Sequence, residues 1–378
     1  MFFYFSYKLQ AKKLQANFMY QYSIIPQAKE KINKTLKQLG LTIIDNDFTP
    51  HLAKSHVSMR GEGFTIEKNI KNKRRFFMPT CVDKNGKKFF LKTRFQNTDE
   101  LLMSLKKEIE FDKKITPIIS SIEPHFITPE VIKSGQDKQG YVWFYRKYRE
   151  GKFAGLMDVD SGITKDFLDK YPAQEFALRL LYLQKNTAKV KKTIELHRHN
   201  CHWYKADFDY YYHTKILQKL IPKELKIIKQ LLEKNRTLLN KNANYLTHGD
   251  FYPNNFLLSN GQLVVIDWEL VHLNNQTFDF CFIWMNAFRN PEWQKEFFKT
   301  YFQKIKNKIK FKKLFRIVAL TLCLRFLHHA CAVIKIFNKG YKEKLISRGF
   351  TQKQIQGTVS RAREAKKAHF EILKKFIM

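Results

Sequence analysis

The chain has 378 residues, 44% of them hydrophobic and 15% aromatic, which excludes a wholly disordered protein and allows one large domain or two of ordinary size. Its 14 Gly and 10 Pro are too few for collagen-like or low-complexity architecture. The 69 Lys and Arg against 34 Asp and Glu give a formal net charge of +35, a balance that attracts anionic partners and repels polycations.

Residues 1–50 are predicted to form a helical N-terminal extension, since a Lys-rich stretch at 27–39 places apolar residues on one helical face. Residues 51–147 then have mainly strand patterns and are predicted to form a smaller, strand-rich lobe. Within this lobe, the runs at 76–82 and 88–95 flank an Asp-Lys-Asn-Gly sequence. Asn-Gly between two β-type runs predicts a hairpin.

A helical pattern follows at 99–115, and an aromatic strand at 141–148 leads into a mostly helical lobe that covers residues 148–378. That lobe is interrupted once, at 245–270, where two short extended runs surround a Pro-Asn-Asn loop. The order of elements predicts an α+β protein with a small antiparallel-sheet lobe and a large helical lobe.

No segment is predicted to span a membrane. The apolar start of the chain is closed by Lys8 and is too short for a signal-peptide core. The most apolar later stretch, 317–324, is followed at once by Arg325 and is predicted to be a buried helix. Five cysteines without a Cys-x-x-Cys pair predict reduced thiols, so we expect a cytoplasmic protein.

Residues 246–269 contain the combination of side chains that points to chemistry. Asn255 follows Asp250 by five residues, and Asp267 follows Asp250 by 17 residues at the end of an apolar run. A carboxylate on a loop can accept the proton of an attacking hydroxyl. An amide oxygen and a second carboxylate are oxygen ligands of the kind that Mg²⁺ prefers. Together they predict half of a phosphoryl-transfer site.

The motif His-x-Asp-x-x-x-x-Asn at 248–255, followed by Val-Ile-Asp-Trp-Glu at 265–269, resembles the aminoglycoside phosphotransferase/choline kinase family. The family has a bilobal protein-kinase-like fold. The resemblance implies that residues 51–147 are the nucleotide-binding N-lobe, and that residues 148–378 are a C-lobe with the catalytic loop and the acceptor site. The residue-by-residue similarity to the family is close only over 246–280.

The resemblance also implies roles for individual residues. Asp250 and His248 are assigned to catalysis, with Asp250 as the base and His248 as a brace for the loop. Asn255 and Asp267 are assigned to Mg²⁺. Asp279 lies where the family has an aspartate that helps to hold this loop.

Upstream, the family needs a strand lysine for the nucleotide phosphates and a helix glutamate that holds it. Lys92, directly after the predicted hairpin, resembles that lysine. Glu108 resembles the glutamate, with Glu110 as the competing candidate on another face of the same helix.

The phosphate-covering loop departs from the family pattern. The only glycine pair, at 61 and 63, begins 31 residues before Lys92, which is longer than the usual gap. The stretch 69–75, at the usual distance, contains no glycine. Either the hairpin carries an insertion or basic side chains replace backbone amides over the phosphates.

These observations predict a Mg²⁺-dependent kinase that transfers the γ-phosphoryl of ATP, with GTP as the alternative, to a hydroxyl of a small molecule. The net charge favours a neutral or anionic acceptor over a polycationic one. One alternative is a catalytically weak kinase-fold scaffold. Another is a basic protein that binds nucleic acid or an anionic membrane surface, since residues 295–375 contain 22 Lys and Arg against 4 Asp and Glu.

The sequence His-Arg-His-Asn-Cys-His at 197–202 has residues that can bind metals at short spacing. A structural zinc site takes two separated ligand pairs, and this stretch offers one crowded cluster. A packing role at the end of a helix is therefore the favoured interpretation.

Overall fold

The computed structural model describes residues 28–45, 76–94, 99–122, 126–138, 141–155, 162–186, 193–336, 343, 346 and 351–377. The N-terminal part contains α1 (Ala28–Leu39), β1 (Thr42–Asp45), β2 (Phe76–Phe77), β3 (Thr80–Val82), β4 (Lys88–Arg94), α2 (Asp99–Lys114), α3 (Thr116–Ile122), β5 (Phe126–Ile127), β6 (Val131–Gln136), β7 (Val142–Lys147) and β8 (Lys152–Phe153). An antiparallel sheet of order β1-β3-β4-β7-β6, with β2 also paired to β4, forms the small lobe.

The predicted hairpin joins β3 to β4, with Val82 opposite Lys88. Asp83 closes the turn, because its Oδ1 accepts from the backbone amides of Asn85 and Lys87, each at 2.9 Å. Gly86 has a φ of +75°, a conformation that glycine adopts at no steric cost. The hairpin prediction is confirmed.

The two faces of the small-lobe sheet are covered by different helices. Alternate β4 residues, Phe89 and Leu91, pack with Ile32 of α1 on the outer face. Phe144 of β7 packs with Leu105 of α2 on the opposite face. Because side chains alternate along a strand, Lys92 of β4 lies on the α2 face of the sheet.

The described part of the predicted N-terminal extension packs on this sheet and adds a strand to it. α1 lies on its outer face, and β1 pairs antiparallel with β3, with Thr42 opposite Val82. The domain boundaries at residues 51 and 148 stay predictions.

The C-terminal part contains α4 (Lys165–Lys170), α5 (Ala173–Lys185), α6 (Cys201–Tyr212), α7 (Lys215–Leu220), α8 (Pro222–Lys234), α9 (Arg236–Asn242), β9 (Tyr245–Thr247), β10 (Phe256–Ser259), β11 (Gln262–Val265), β12 (His272–Asn274), α10 (Phe278–Asn286), α11 (Pro291–Gln303), α12 (Lys308–Ile336) and α13 (Gln352–Ile377). A four-stranded sheet of order β5-β11-β10-β8 and the β12-β9 pair lie among these helices. The predicted bilobal α+β fold is confirmed.

Aromatic side chains dominate the core of the large lobe. Phe280 is fully buried, stacks on Phe297 at 4.8 Å between ring centroids and meets Phe311 and Phe315 edge to face. Phe311 and Phe315 belong to the basic C-terminal region, yet both are buried. These two phenylalanines therefore pack the core, whereas the half-buried Phe302 has the ammonium groups of Lys308 and Lys312 over its ring.

The helix α12 is long and apolar enough to cross a membrane by length and composition, judged over Lys308–Lys335. However, 72% of its most apolar window is buried inside the fold. It packs along α13, and Arg316 donates to the Phe376 carbonyl at 2.7 Å. This burial is typical of a core helix, as the sequence predicted for 317–324.

We expect Ile32→Ala to lower the free energy of unfolding by about 2–5 kcal/mol, because Ile32 is fully buried between α1 and the sheet. Asn33→Ala is the matched control on the exposed face of the same helix, and it should change stability by less than about 0.5 kcal/mol. Urea unfolding of the full chain compares the two variants. Equal effects would contradict the packing of α1 on the sheet.

Candidate active site

The catalytic loop, residues 248–255, connects β9 to β10. The β10–β11 hairpin then returns the chain beside the end of this loop. Its two-residue turn takes positive φ angles of 48° and 73°, as a short antiparallel hairpin requires. At the open end of the hairpin, the Ile266 amide donates to the Asn255 carbonyl at 3.0 Å. Asn255 and Asp267 are thereby held close along the backbone.

His248 is fully buried beneath the loop. Its Nε2 lies 2.8 Å from the Ile266 carbonyl, and its Nδ1 accepts from the Asp250 amide at 3.3 Å. Both ring nitrogens are therefore used inside the protein, and burial lowers the pKa of His248. A neutral ring with these two partners holds the loop against β11, as the predicted brace requires.

Asp279, near the start of α10, anchors the beginning of the same loop. Its carboxylate accepts from the backbone amides of His248 at 2.7 Å and Gly249 at 3.4 Å. Burial raises the pKa of Asp279 to about 7, although the two amides oppose that shift. Gly249 has a φ of +86°, and a Cβ there would lie 2.2 Å from the Leu270 carbonyl oxygen, so only glycine fits.

Asp250 lies at the centre of the loop, with its side chain 23% exposed. The Asn255 amide Nδ2 donates to the Asp250 carbonyl at 2.8 Å and lies 3.5 Å from its carboxylate. On the other side, Arg325 Nη2 of α12 donates to Asp250 Oδ1 at 3.1 Å. The predicted base is accessible, and its orientation is fixed by an amide and a guanidinium.

Lys92 of β4 forms the ion pairs that connect the two lobes. Its ammonium contacts Glu108 at 2.7 Å, Asp267 at 2.5 Å and Glu269 at 3.3 Å, with only 2% of the side chain exposed. Burial alone lowers the pKa of Lys92, but the three carboxylates reverse that effect and raise it. Lys92 therefore stays charged inside the protein.

The choice between the two candidate glutamates of α2 is visible in their contacts. Glu108 is fully buried and contacts Lys92. Glu110 forms an i,i+4 ion pair with Lys114, and its side chain is 43% exposed. The structure thus places Glu108, and not Glu110, at the lysine.

Asp267 takes a left-handed conformation, with a φ of +67°, which is uncommon for a residue with a Cβ. Two contacts hold this turn. The Asp267 carboxylate pairs with Lys92, and the next residue, Trp268, stacks on Phe111 of α2 with 4.2 Å between ring centroids. The turn after β11 is therefore joined to β4 by an ion pair and to α2 by a ring stack.

Sequence reasoning missed a second buried charge cluster behind Lys92. Arg146 of β7 is 4% exposed, and its Nη1 lies 3.5 Å from both Glu108 and Asp112. Asp112 follows Glu108 by four residues on the same face of α2, and burial raises its pKa well above the usual range. No local pattern distinguishes Arg146 from the many other basic residues of the chain.

Sequence reasoning also missed the role of Arg325 and noted it only as the charge that ends an apolar run. It lies 75 residues from Asp250 in the chain. The available signal for this role was an arginine directly after the buried run 317–324, because a charge at such a position needs a partner.

Among the residues that the structure describes, one group of three side chains brings metal-binding atoms within 4.8 Å of one another: Glu108, Asp267 and Glu269. All are carboxylates, the ligand type of hard cations such as Mg²⁺. Glu108 faces inward, whereas the Asp267 side chain is 35% exposed at the open end of the hairpin. Asp267 is thus the carboxylate of the group best placed to meet a metal in the cleft.

The stretch 197–202, for which the sequence favours a packing role over metal binding, contributes His199 to a stack of aromatic rings. His199 stacks on Trp203 at 4.4 Å and on His272 at 3.4 Å between ring centroids. His272 lies under the catalytic loop, and its Nδ1 is 2.7 Å from the Leu270 carbonyl.

The glycine pair at 61 and 63 and the stretch 69–75 lie outside the described residues.

A bilobal fold in which a strand lysine, a helix glutamate and a loop aspartate converge defines a phosphotransferase of the kinase-like class. The profile of the phosphotransferase enzyme family that includes the aminoglycoside phosphotransferases matches residues 87–308. The chain therefore belongs to this family, and it is an enzyme of the phosphotransferase class.

Solved structures agree on the fold. A GDP complex of aminoglycoside 2'-phosphotransferase-IIIa has a TM-score of 0.54 at 14% identity, covering 90% of this chain and 99% of that one. A type I macrolide 2'-phosphotransferase has a TM-score of 0.51 at 13% identity, covering 90% and 98%. A comparison with curated protein sequences gives no match. At these identities the structures support the fold alone.

We expect Arg146→Met to destabilise the protein by about 3–5 kcal/mol, because it leaves the buried carboxylates of Glu108 and Asp112 without their shared counter-charge. Adding Asp112→Asn should recover part of the loss, which a double-mutant cycle in urea measures. Arg149→Met, at an exposed site three residues further on, is the matched control. Purely additive effects of the two substitutions would contradict the coupling.

We expect the contribution of His272 to the free energy of unfolding to fall as the pH falls below about 6.5. Burial lowers the pKa of His272 to about 3 and lowers that of His199 as well, so the unfolded chain binds protons that the folded chain does not. The stability that neutral His272 contributes is complete above its unfolded pKa and is lost toward pH 3, at roughly 1.4 kcal/mol per pH unit.

The variant His272→Asn should flatten this dependence, while His213→Asn, at an exposed site, should leave it unchanged. Urea midpoints between pH 4 and pH 8 provide the measurement. An unaltered slope in His272→Asn would show that other groups dominate the acid response.

Proposed function

We propose that this enzyme transfers the γ-phosphoryl group of ATP, with GTP as the alternative donor, to a hydroxyl of a small molecule in the cytoplasm, and that it requires Mg²⁺. The observation that carries the proposal is the buried contact of Lys92 with Glu108 and Asp267, which lie 16 and 175 residues away in the chain. The hairpin connects that contact to the loop of Asp250. The strand of Lys92, the helix of Glu108 and the loop of Asp250 thus converge on one site.

On the nucleotide side, Lys92 contacts the phosphates of the donor and Glu108 keeps the ammonium in place. The fully buried Glu108 can do so because Arg146 and Lys92 together balance its charge. Asp267 and Glu269 also contact the ammonium of Lys92, at 2.5 and 3.3 Å.

The charge of the site supports a cation cofactor. Lys92 carries one positive charge against the carboxylates of Glu108, Asp267 and Glu269, so the cluster has surplus negative charge. Asp267, with Asn255 beside it on the hairpin, would hold Mg²⁺, and Glu269 would support it. When bound, Mg²⁺ neutralises the donor phosphates and the charge that develops on them.

On the acceptor side, Asp250 accepts the hydroxyl proton as the acceptor oxygen bonds to the γ-phosphorus. The bond from that phosphorus to the bridging oxygen breaks, and the nucleoside diphosphate leaves with the electron pair. His248 contributes by position, since both of its ring nitrogens are engaged within the loop. Catalysis in such a site rests on orientation and charge stabilisation.

The contacts also bear on the two alternatives. A scaffold without chemistry has no need for Asp250 to stay partly exposed, with its carboxylate oriented by Asn255 and Arg325. For the nucleic-acid or membrane alternative, Phe311 and Phe315, two of the aromatic side chains in the basic region, are buried in the core and cannot stack or insert. Both observations favour the kinase.

Thermal unfolding with Mg²⁺ and ATP tests the proposal. At a ligand concentration of 100 times Kd, binding adds about 2.7 kcal/mol, so the melting temperature of the wild type should rise by several degrees. Asp267→Ala should lose most of this rise because it removes the exposed carboxylate of the metal group.

Asp250→Asn is the matched control, since it alters the acceptor side and should keep the rise. A wild type that gains no stability from Mg²⁺ and ATP would overturn the proposal. Equal rises in the wild type and Asp267→Ala would remove Asp267 from the metal site.

A further inference from the structure

Arg325 brings a fixed positive charge to the acceptor side of the catalytic base. Its Nη2 donates to Asp250 Oδ1 at 3.1 Å, and its side chain is 17% exposed. Asp250 presents its other carboxylate oxygen toward Asn255, at 3.5 Å. A hydroxyl that reaches Asp250 therefore arrives beside a guanidinium.

The guanidinium is held in place by aromatic rings. It lies over Tyr252 of the catalytic loop at 5.7 Å and over Phe282 of α10 at 5.4 Å from the ring centroids. The two rings meet edge to face at 5.2 Å, and Phe326 packs against both. An arginine on such a support loses little side-chain freedom when it binds a ligand.

Most of the hydrogen-bonding capacity of Arg325 is unused by the described part of the protein. A guanidinium has five N–H donors, and here one of them is directed at Asp250. The Arg325 side chain is 17% exposed, so part of it is accessible to solvent. The remaining donors of a guanidinium suit a planar or tetrahedral oxyanion.

Two carboxylates lie near Arg325, namely Asp250 in direct contact and Asp207 further away. Asp207 of α6 lies within electrostatic reach of Arg325 and His329, and burial raises the pKa of Asp207 to about 6. Burial by itself lowers the pKa of Arg325, and Asp250 with its neighbours reverses this and raises it, so the guanidinium stays charged. His328, three residues further along α12, stacks at an angle on Tyr211.

We propose that Arg325 determines acceptor specificity by binding an anionic group, a carboxylate or a phosphate ester, adjacent to the hydroxyl that Asp250 activates. This proposal rests on the kinase function above and specifies the acceptor class. An oxyanion gains the unused N–H donors without separating Arg325 from Asp250. An ammonium group of a polycation would instead be repelled by the positive charge of the guanidinium at close range.

The first experiment measures binding of inorganic phosphate by thermal unfolding of the full chain with ADP and Mg²⁺, at matched ionic strength. Phosphate should stabilise the wild type, and Arg325→Met should gain less than half as much. Arg316→Met is the matched control, because Arg316 lies on the same helix but donates to the Phe376 and Ile377 carbonyls. Equal gains in all three proteins, or no gain in any, would overturn the proposal.

The second experiment measures ADP release from ATP with four acceptors: glucose, gluconate, glucose 6-phosphate and kanamycin. Turnover with gluconate points to a carboxylate, and turnover with glucose 6-phosphate points to a phosphate ester. For that acceptor Arg325→Met should raise KM by about 10- to 100-fold, as expected for a lost hydrogen bond between charged groups. Turnover confined to glucose or kanamycin would contradict the proposal.

The two proposals fail in different ways. If ADP with Mg²⁺ alone does not stabilise the wild type, the nucleotide function fails. If ADP with Mg²⁺ stabilises it but the phosphate effect is independent of Arg325, only the acceptor proposal fails.

Discussion

The buried ammonium of Lys92 is the constraint on which the site depends. A charge in this position is tolerated only with close counter-charges, and here they come from α2 and from the turn after β11. Because Glu108 and Asp267 belong to different lobes, the ion pairs also determine how the lobes face each other. The stack of Phe111 on Trp268 adds an apolar contact to the same junction.

A second layer of charge makes that arrangement possible. Arg146 lies behind Glu108 and shares its charge with Asp112, so the glutamate is held from two sides. The cluster still has more carboxylates than cations, and the positive φ of Asp267 keeps its carboxylate directed at Lys92. Such an arrangement is suited to a site that gains phosphates and a divalent cation together.

On the proposed acceptor side, a different cation contacts the carboxylate. Arg325 reaches Asp250 from α12, a helix that is otherwise part of the aromatic core. The overall charge of +35 says little about this site by itself, since most surface lysines are screened at physiological salt. In the proposed site, one partly buried guanidinium beside Asp250 has more influence than many distant charges.

Features that depend on neighbouring residues could be predicted from local patterns. The Asn-Gly hairpin, the spacing from His248 to Asp267 and the buried helix around 317–324 all follow such patterns, and the structure contains each of them. The choice between Glu108 and Glu110 required the folded structure, because helical spacing alone does not show which face meets Lys92. Arg146 and Arg325 were beyond local reasoning, since their partners lie 34 and 75 residues away and burial, which no short pattern encodes, gives those contacts their strength.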